Sequence, residues 1–369
     1  MNKSYKFAEQ QVLEVAKRID SATTTSVLGI PGAGISIFMK HLSAQPLGHM
    51  IYLDIFSLPS LMPHELYKSL LEKLGGKAQE RNTDDELIAL CIKQLESLTA
   101  QHAKVVLCIA GFDQLQPEFS ASFFHYLRTL RAVDKSKVVF IFGICRRLET
   151  LLPDNIIDTD LSLFSSINYL KPYNEEDIRH MLSLYGPHTD IVKEELDKAI
   201  GLSGGHFQFL QLLLASERRN NPTQDPFIQL AFKNIFMHLS STQKAIVRKL
   251  AVDGTYPKTD DYLTNIGLLN KRGDTYELFS ALFAECVRAF SAPKLPIKER
   301  RLFAILKRNK GRVVTKREIF DEVWRGQEIG SEWALNALLY RLRKHPAFTA
   351  QNYTIESHKK IGYSLTKDF

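Results

Sequence analysis

Val27-Leu28-Gly29-Ile30-Pro31-Gly32-Ala33-Gly34-Ile35-Ser36 is the stretch that decides how this 369-residue chain folds. Val27-Leu28 reads as a short apolar strand, the glycines as a turn, and Ile37-Phe38-Met39 as the continuation into a helix. Strand, glycine-rich turn and helix is the context in which backbone N–H groups converge on a phosphate. Such loops carry a lysine after the last glycine, where it balances β- and γ-phosphate charge. Here that place is Ile35, which leaves the charge to backbone dipoles alone.

Working outward, His49-Met50-Ile51-Tyr52-Leu53-Asp54, Val105-Val106-Leu107-Cys108-Ile109 and Val138-Val139-Phe140-Ile141-Phe142-Gly143 read as three further strands. The stretches 64–74 and 85–98 between them have helical spacing with leucines on one face. Buried strands alternating with helices imply a mostly parallel sheet covered on both faces. In a nucleotide hydrolase of this kind the strand 105–109 would end in a carboxylate that holds magnesium. That place is Ala110, followed by Gly111-Phe112-Asp113-Gln114-Leu115. Asp113 lies beyond the strand end and is not expected to replace it. Ser36 keeps a hydroxyl suited to magnesium, but one ligand without the carboxylate is a poor site. The candidate nucleotide-binding residues are therefore Gly29, Gly32, Gly34, Ser36 and Asp113, in a degenerate site that is expected not to hydrolyse ATP. No cofactor is expected beyond weak ATP or ADP binding by the glycine N–H groups; a purely structural turn is the alternative.

This part of the chain resembles the AAA+-like ATPase core of the STAND class of signal-transducing NTPases. The resemblance covers Leu170-Lys171-Pro172-Tyr173-Asn174-Glu175-Glu176-Asp177, the lead into the lid helices. It extends to Gly201-Leu202-Ser203-Gly204-Gly205-His206-Phe207-Gln208-Phe209-Leu210-Gln211, where the family has proline after Gly-Gly-His and this chain has Phe207. Arg146 and Arg147 stand in a region where such proteins sense nucleotide, with ordinary surface arginines as the equal alternative. The resemblance implies a nucleotide-driven switch controlling an attached effector.

Composition sets broad limits. The length suits two or three domains, and 44% hydrophobic with 24% charged residues is ordinary for a core-forming protein. Cys91, Cys108, Cys145 and Cys286 lack paired spacing and fit buried thiols better than disulfides or a zinc site. No apolar run approaches the roughly 20 residues of a membrane helix, and no secretory leader is evident, so a cytoplasmic location is expected. Charge is uneven: residues 291–369 hold 17 Lys+Arg against 8 Asp+Glu, the rest 31 against 33. The net +7 thus comes from the tail, as expected if one module meets a polyanion.

In the middle segment, Leu239-Ser240-Ser241-Thr242-Gln243-Lys244 is a helix cap, and a helix, Gly267-Leu268-Leu269, a hairpin and an apolar helix 281–290 follow. These look like a degenerate winged helix. Its Lys258, Lys271 and Arg272 are too scattered for DNA, so it reads as a packing module.

The tail is more specific. Leu302, Phe303, Ile305 and Leu306 form an apolar stripe, Thr315 and Glu318 a capping box, and Ile319, Phe320, Val323 and Trp324 an inward face. After a turn at 326–330, the helix 331–344 buries Leu335, Leu338, Leu339 and Leu342. Its other face carries Trp333, Asn336, Ala337, Tyr340, Arg341 and Lys344, suited to a major groove, with Arg343 beside it for a phosphate. Packing of this aromatic face on a neighbouring domain is the alternative. Residues 353–365 alternate around a basic tip and read as a hairpin wing, with His358, Lys359 and Lys360 placed for phosphates or a minor groove. His358 has no second metal ligand at useful spacing.

These residues resemble the DNA-binding domain of OmpR/PhoB-type response regulators. The likeness rests on Arg312-Val313-Val314-Thr315-Lys316-Arg317-Glu318, Val323-Trp324, Arg341-Leu342-Arg343-Lys344 and Ile361-Gly362-Tyr363-Ser364-Leu365. It implies helix 331–344 in the major groove with wing 355–363 alongside, often as tandem dimers on direct repeats. Trp333 and Leu338 depart from the family, which is often polar or basic there. No phosphoacceptor receiver domain precedes the module, so aspartyl phosphorylation is not implied.

The expected fold is an α/β P-loop, AAA+-like domain (1–165) with a helical lid (166–235), followed by two α+β winged-helix domains (236–290 and 296–369). The expected function is sequence-specific binding of double-stranded DNA, as a non-enzymatic transcriptional regulator whose STAND-like core senses or oligomerises. Double-stranded DNA is the expected partner and a homo-oligomer the expected self-assembly, with no membrane partner. Two alternatives stand beside it: a nucleotide-regulated ATPase switch using a replacement cation such as Lys40 or one from a neighbouring subunit, and a non-catalytic interaction scaffold.

Overall fold

The computed structural model describes residues 7–152, 162–185, 192–216, 221–257, 259–291, 295–325, 331–349 and 353–367. Lys258 and the turn at 326–330 lie outside the described residues. The chain divides into two compact units, Met1–Arg288 and Ala289–Phe369. The segments read from the sequence as core, lid and first winged helix thus fall in one compact body.

In the first unit the expected strands form as β1 (Thr25–Gly29), β2 (His49–Asp54), β3 (Val105–Ala110) and β4 (Val138–Ile144). A fifth, β5 (Ser166–Leu170), pairs in parallel with β1, so the sheet continues past residue 165 in the order β2-β3-β4-β1-β5. Its Ser-Ile-Asn-Tyr-Leu sequence is no apolar run, which is why it escapes a hydrophobicity reading. Polar contacts hold it: Thr25 Oγ1 accepts from Ser166 Oγ and Asn168 Nδ2, both at 2.7 Å. The helices are α1 (Glu9–Asp20), α2 (Ile35–Ser43), α3 (Pro63–Lys73), α4 (Asp84–Gln101) and α5 (Ala121–Ala132). Thr83 and Glu86 form a capping box that starts α4.

Strand alternation assigns the two faces. Phe140 and Phe142 on β4 face an aromatic cluster with Phe112, Phe123 and Phe164, the Phe112–Phe142 centroids being 4.4 Å apart. On the opposite face, a Cβ at Gly143 would lie 3.1 Å from Met39 Cγ and 3.2 Å from Ile35 Cγ2, so α2 packs directly on the strand there. Cys91, Cys108 and Cys286 are buried unpaired thiols, each pushed up to about 12 by desolvation.

The lid helices α6 (Glu175–Tyr185), α7 (Lys193–Ser203), α8 (Phe207–Ala215) and α9 (Pro226–Met237) follow. The middle segment has the helix, hairpin and closing helix expected of it. They are α10 (Ser241–Asp253), capped by Ser240 and Gln243, α11 (Asp261–Asn265), β6 (Leu269–Arg272), β7 (Thr275–Leu278) and α12 (Ala281–Ser291).

The second unit holds α13 (Ile297–Arg308), β8 (Val314–Thr315), α14 (Lys316–Trp324), α15 (Glu332–Lys344), β9 (Tyr353–His358) and β10 (Gly362–Lys367). Leu302, Leu306, Ile319, Val323, Leu335, Leu338, Leu339 and Leu342 centre its core, while Phe320 and Trp324 are only partly buried against it. Its sheet has the order β8-β10-β9, with Tyr363 opposite Val314. Gly362 is needed where β10 meets β8, because a Cβ there would lie 1.9 Å from the Val314 carbonyl oxygen.

Candidate functional site

Two sites arise, one in each unit. In the first, the loop after β1 bends through Gly32 (φ 81°) and Gly34 (φ 97°), the left-handed region that favours glycine. Lid residues bind its carbonyls. The Gln208 N–H donates to Gly32 O at 3.0 Å, the His206 Nε2–H to Pro31 O at 2.8 Å, and the Tyr173 hydroxyl to Gly34 O at 3.2 Å. Close approach explains the glycines as well: a Cβ at Gly32 would lie 2.2 Å from Gln208 Oε1, and one at Gly34 2.7 Å from Met181 Cε.

Ile35 opens α2 and is buried, its side chain lying where a Cβ on Gly29 would be 3.3 Å away. An apolar side chain there packs across the C-terminal ends of β1 and β4. Beyond these strand ends an open cleft of about 880 Å³ is lined by Pro31, Gly32, Gly34, Ile35, Ser36, Asp113, Gln114, Arg146, Gln208, Gln211, Asn234 and His238, among others. The expected residues Gly32, Gly34, Ser36 and Asp113 therefore meet at one place, while Gly29 sits behind Ile35. Ligands of open α/β sheets bind outside the carboxyl ends of the strands, which is where this cleft lies.

Asp113 is buried rather than projecting. Arg146 donates from Nη2 to the Asp113 carbonyl at 2.7 Å and faces its carboxylate from Nε at 3.5 Å, while Oδ1 meets no hydrogen-bond donor in good geometry. Burial pushes the Asp113 carboxyl above its ordinary value, against the pull of the Arg146 charge and of the nearby Cys145 and Asp113 amides. Of the two arginines left open by the sequence, Arg146 is on the cleft wall. Arg147 instead pairs with Glu149 at 2.9 Å and lies over the Tyr262 ring. Lys40 is exposed on α2 and does not line the cleft.

His206, which the sequence offered only as part of a motif, is the hinge of the loop–lid contact. Its Nε2–H is spent on Pro31, and Nδ1 accepts the Phe209 N–H at 3.2 Å as the cap of α8. Desolvation pulls its pKa down from 6.5 to about 4. Between these values the unfolded chain binds a proton that the folded one refuses, so stability is full above about pH 6.5 and is lost as pH falls toward 4. The loss expected from His206 alone is about 3 kcal/mol. Urea unfolding of full-length protein across this range should show the midpoint falling on acidification, and His206→Gln should flatten most of that slope. An equally steep slope in the variant would assign the acid sensitivity elsewhere.

In the second unit, α15 exposes Trp333, Asn336, Tyr340, Arg341, Arg343 and Lys344. Three of these are held from below. Arg341 Nε binds Glu299 Oε1 at 2.8 Å, and that carboxylate is only 6% exposed. Arg343 Nη2 donates to Ile355 O at 2.8 Å and to Ser357 Oγ at 3.3 Å, tying α15 to β9. The Tyr363 hydroxyl donates to Asn336 Oδ1 at 3.2 Å, tying it to β10. Glu299 is the residue sequence reading missed, and Tyr363, read there only as part of a motif, gains its partner Asn336 because the fold brings it to the helix. Lys359 and Lys360 are exposed at the three-residue tip between β9 and β10, with Lys360 at φ 67° and the Ile361 N–H closing the turn on His358 O at 3.0 Å. His358 pairs across the hairpin with Ser364 Oγ at 2.8 Å. Among the described residues no cluster of His, Cys, Asp and Glu could hold a metal, and no helix is long and apolar enough to cross a membrane.

Residues 291–365 match the family described as transcriptional regulatory protein, C terminal, and residues 18–152 match an AAA domain family. No curated protein matches the chain. Among solved structures, a Walker-type ATPase of Pyrococcus abyssi is similar at 15% identity and TM-score 0.50, over 78% of this chain and 97% of that one. The Aeropyrum pernix ORC1 protein in complex with DNA is similar at 12% identity and TM-score 0.42, over 99% of this chain and 90% of that one. The Thermotoga maritima RuvB Holliday junction branch migration motor is similar at 12% identity and TM-score 0.36, over 79% and 96%. At 15% identity the first likeness is one of fold alone. The matches and the fold define a DNA-binding transcription-regulator type of protein that carries an ATPase-like domain. More particularly, an AAA-type P-loop domain stands near the N-terminus and an OmpR/PhoB-type domain at the C-terminus.

Proposed function

We propose that the protein is a sequence-specific double-stranded DNA-binding regulator in which α15 enters the major groove, the Lys359-Lys360 tip grips the backbone, and a STAND-like core senses or oligomerises without hydrolysing ATP. The observation that carries the DNA reading is the exposed face of α15, braced by Tyr363 and Arg343 to a wing tipped with two lysines, in the unit that holds the whole net positive charge. Phosphate contacts release counterions, so affinity should fall at least about tenfold between roughly 50 and 200 mM salt. Duplex binding that ignores salt would sink this reading and leave the interaction scaffold.

For the core, the support is chemical. Ile35 lines the cleft with an apolar side chain that packs against Gly29 and Gly143, and β3 ends in Ala110 with Asp113 buried against Arg146. The phosphate charge lacks its usual lysine and magnesium its usual carboxylate, with the Ser36 hydroxyl left alone in the cleft. Full-length protein is expected to release phosphate from ATP no faster than a protein-free control. One observation favours the second reading, a nucleotide-regulated ATPase: the 880 Å³ cleft is open and carries Arg146 on its wall. Nucleotide and magnesium retained through purification, with phosphate release well above the control, would establish that reading instead.

A further inference from the structure

We propose that α15 reads A·T base pairs, through the 5-methyl group of thymine and the edge of adenine, and is not a guanine reader. The inference rests on the reading that this unit grips duplex DNA, and it concerns which bases are chosen. The commonest protein contact to guanine is an arginine fork on O6 and N7. Both arginines of this helix are anchored within the unit through one nitrogen, Arg341 by Nε and Arg343 by Nη2. Arg341 neutralises Glu299, and removing it to reach a base would strand a carboxylate that is 6% exposed. Arg343 is hydrogen-bonded to the wing strand at Ile355 and Ser357.

What remains on the outer face is apolar in its middle. Trp333, Ala337, Tyr340 and Lys344 follow one another at helical spacing, with Trp333 79% and Tyr340 63% exposed. Two large rings so exposed present apolar surface to solvent, and the apolar group that a major groove offers is the thymine methyl. Lys344 lies with its ammonium 5.7 Å from the Tyr340 ring centroid, at the end of the helix where a phosphate is nearer than a base. Asn336 supplies the polar half of the reading. Tyr363 fixes its amide plane by donating to Oδ1, which leaves the Nδ2 donors and one Oδ1 lone pair. A donor beside an acceptor is the complement of adenine N7 and N6.

The test selects duplexes from a random pool with full-length protein, then measures binding to the selected site with deoxyuridine in place of thymidine. A·T pairs should dominate the site, and each lost methyl that was buried should weaken binding roughly fourfold. Trp333→Ala, at a position outside the hydrophobic core, should weaken binding to the thymidine duplex and shrink the difference between the two. Selection of G·C-rich sites, or equal affinity for thymidine and deoxyuridine duplexes with salt-sensitive binding intact, overturns the base assignment alone. Loss of all salt-sensitive duplex binding overturns the DNA reading itself, and with it this proposal.

Discussion

Gly205→Ala is expected to destabilise the first unit by at least about 3 kcal/mol and to disturb the cleft. Gly205 has φ 80°, and a Cβ there would lie 2.0 Å from the Tyr173 carbonyl oxygen. The neighbour is backbone, so no side-chain rotation can relieve the overlap. Tyr173 must retreat, losing the bond from its N–H to Gly205 O at 3.0 Å and drawing its hydroxyl away from Gly34 O. Gly201, four residues earlier in α7, is the control: nothing lies within 4 Å of its Cβ position. Gly201→Ala should raise stability by about 0.5–1 kcal/mol, because alanine is the better helix former. Urea unfolding of both variants checks the pair. Equal stability of the two would show that the approach of Gly205 to Tyr173 is not what clamps the lid to the loop.

The double charge reversal Lys359→Glu with Lys360→Glu is expected to weaken duplex binding on the order of a hundredfold near physiological salt, and to lower the salt slope by about 2. Both side chains are exposed at the tip, so neither the core nor the β9–β10 ladder depends on them. The loss should be uniform across DNA sequences, since phosphate contacts position the protein without reading bases. Circular dichroism should be unchanged. Reversals at Arg341 or Arg343 would be ambiguous, because the first removes the partner of buried Glu299 and the second the tie to β9. Undiminished binding by the double variant would place the wing away from the backbone.

The sequence made the sheet visible where its strands are buried on both faces. Val105-Val106-Leu107-Cys108-Ile109 and Val138-Val139-Phe140-Ile141-Phe142 leave no other reading. It hid β5, an edge strand whose polar residues meet Thr25, because a pattern built from hydrophobicity cannot register a hydrogen-bonded pairing across some 140 residues. The first helix, α1, was likewise not expected from the pattern. In the tail, local signals sufficed for the elements: the Thr315–Glu318 box starts α14, and Ser331 caps α15. The roles of charged side chains were less legible. Arg341 and Arg343 look alike as neighbours on a basic helix, yet one turns toward α13 and the other toward β9. Asp113 similarly could be placed beyond a strand end, but its burial against Arg146 depends on the loop after β4.

The bonds from Tyr363 to Asn336 and from Arg343 to Ile355 have a consequence for shape selection under the proposed reading. They tie helix and hairpin into one gauge, which sets the distance from the outer face of α15 to the lysine tip. Such a gauge accepts only a double helix whose groove admits the helix while its backbone meets the tip. B-form DNA offers a major groove about 12 Å wide, whereas A-form RNA closes its major groove to side chains. Discrimination between the two nucleic acids would then be a matter of calipers, made before any base is touched.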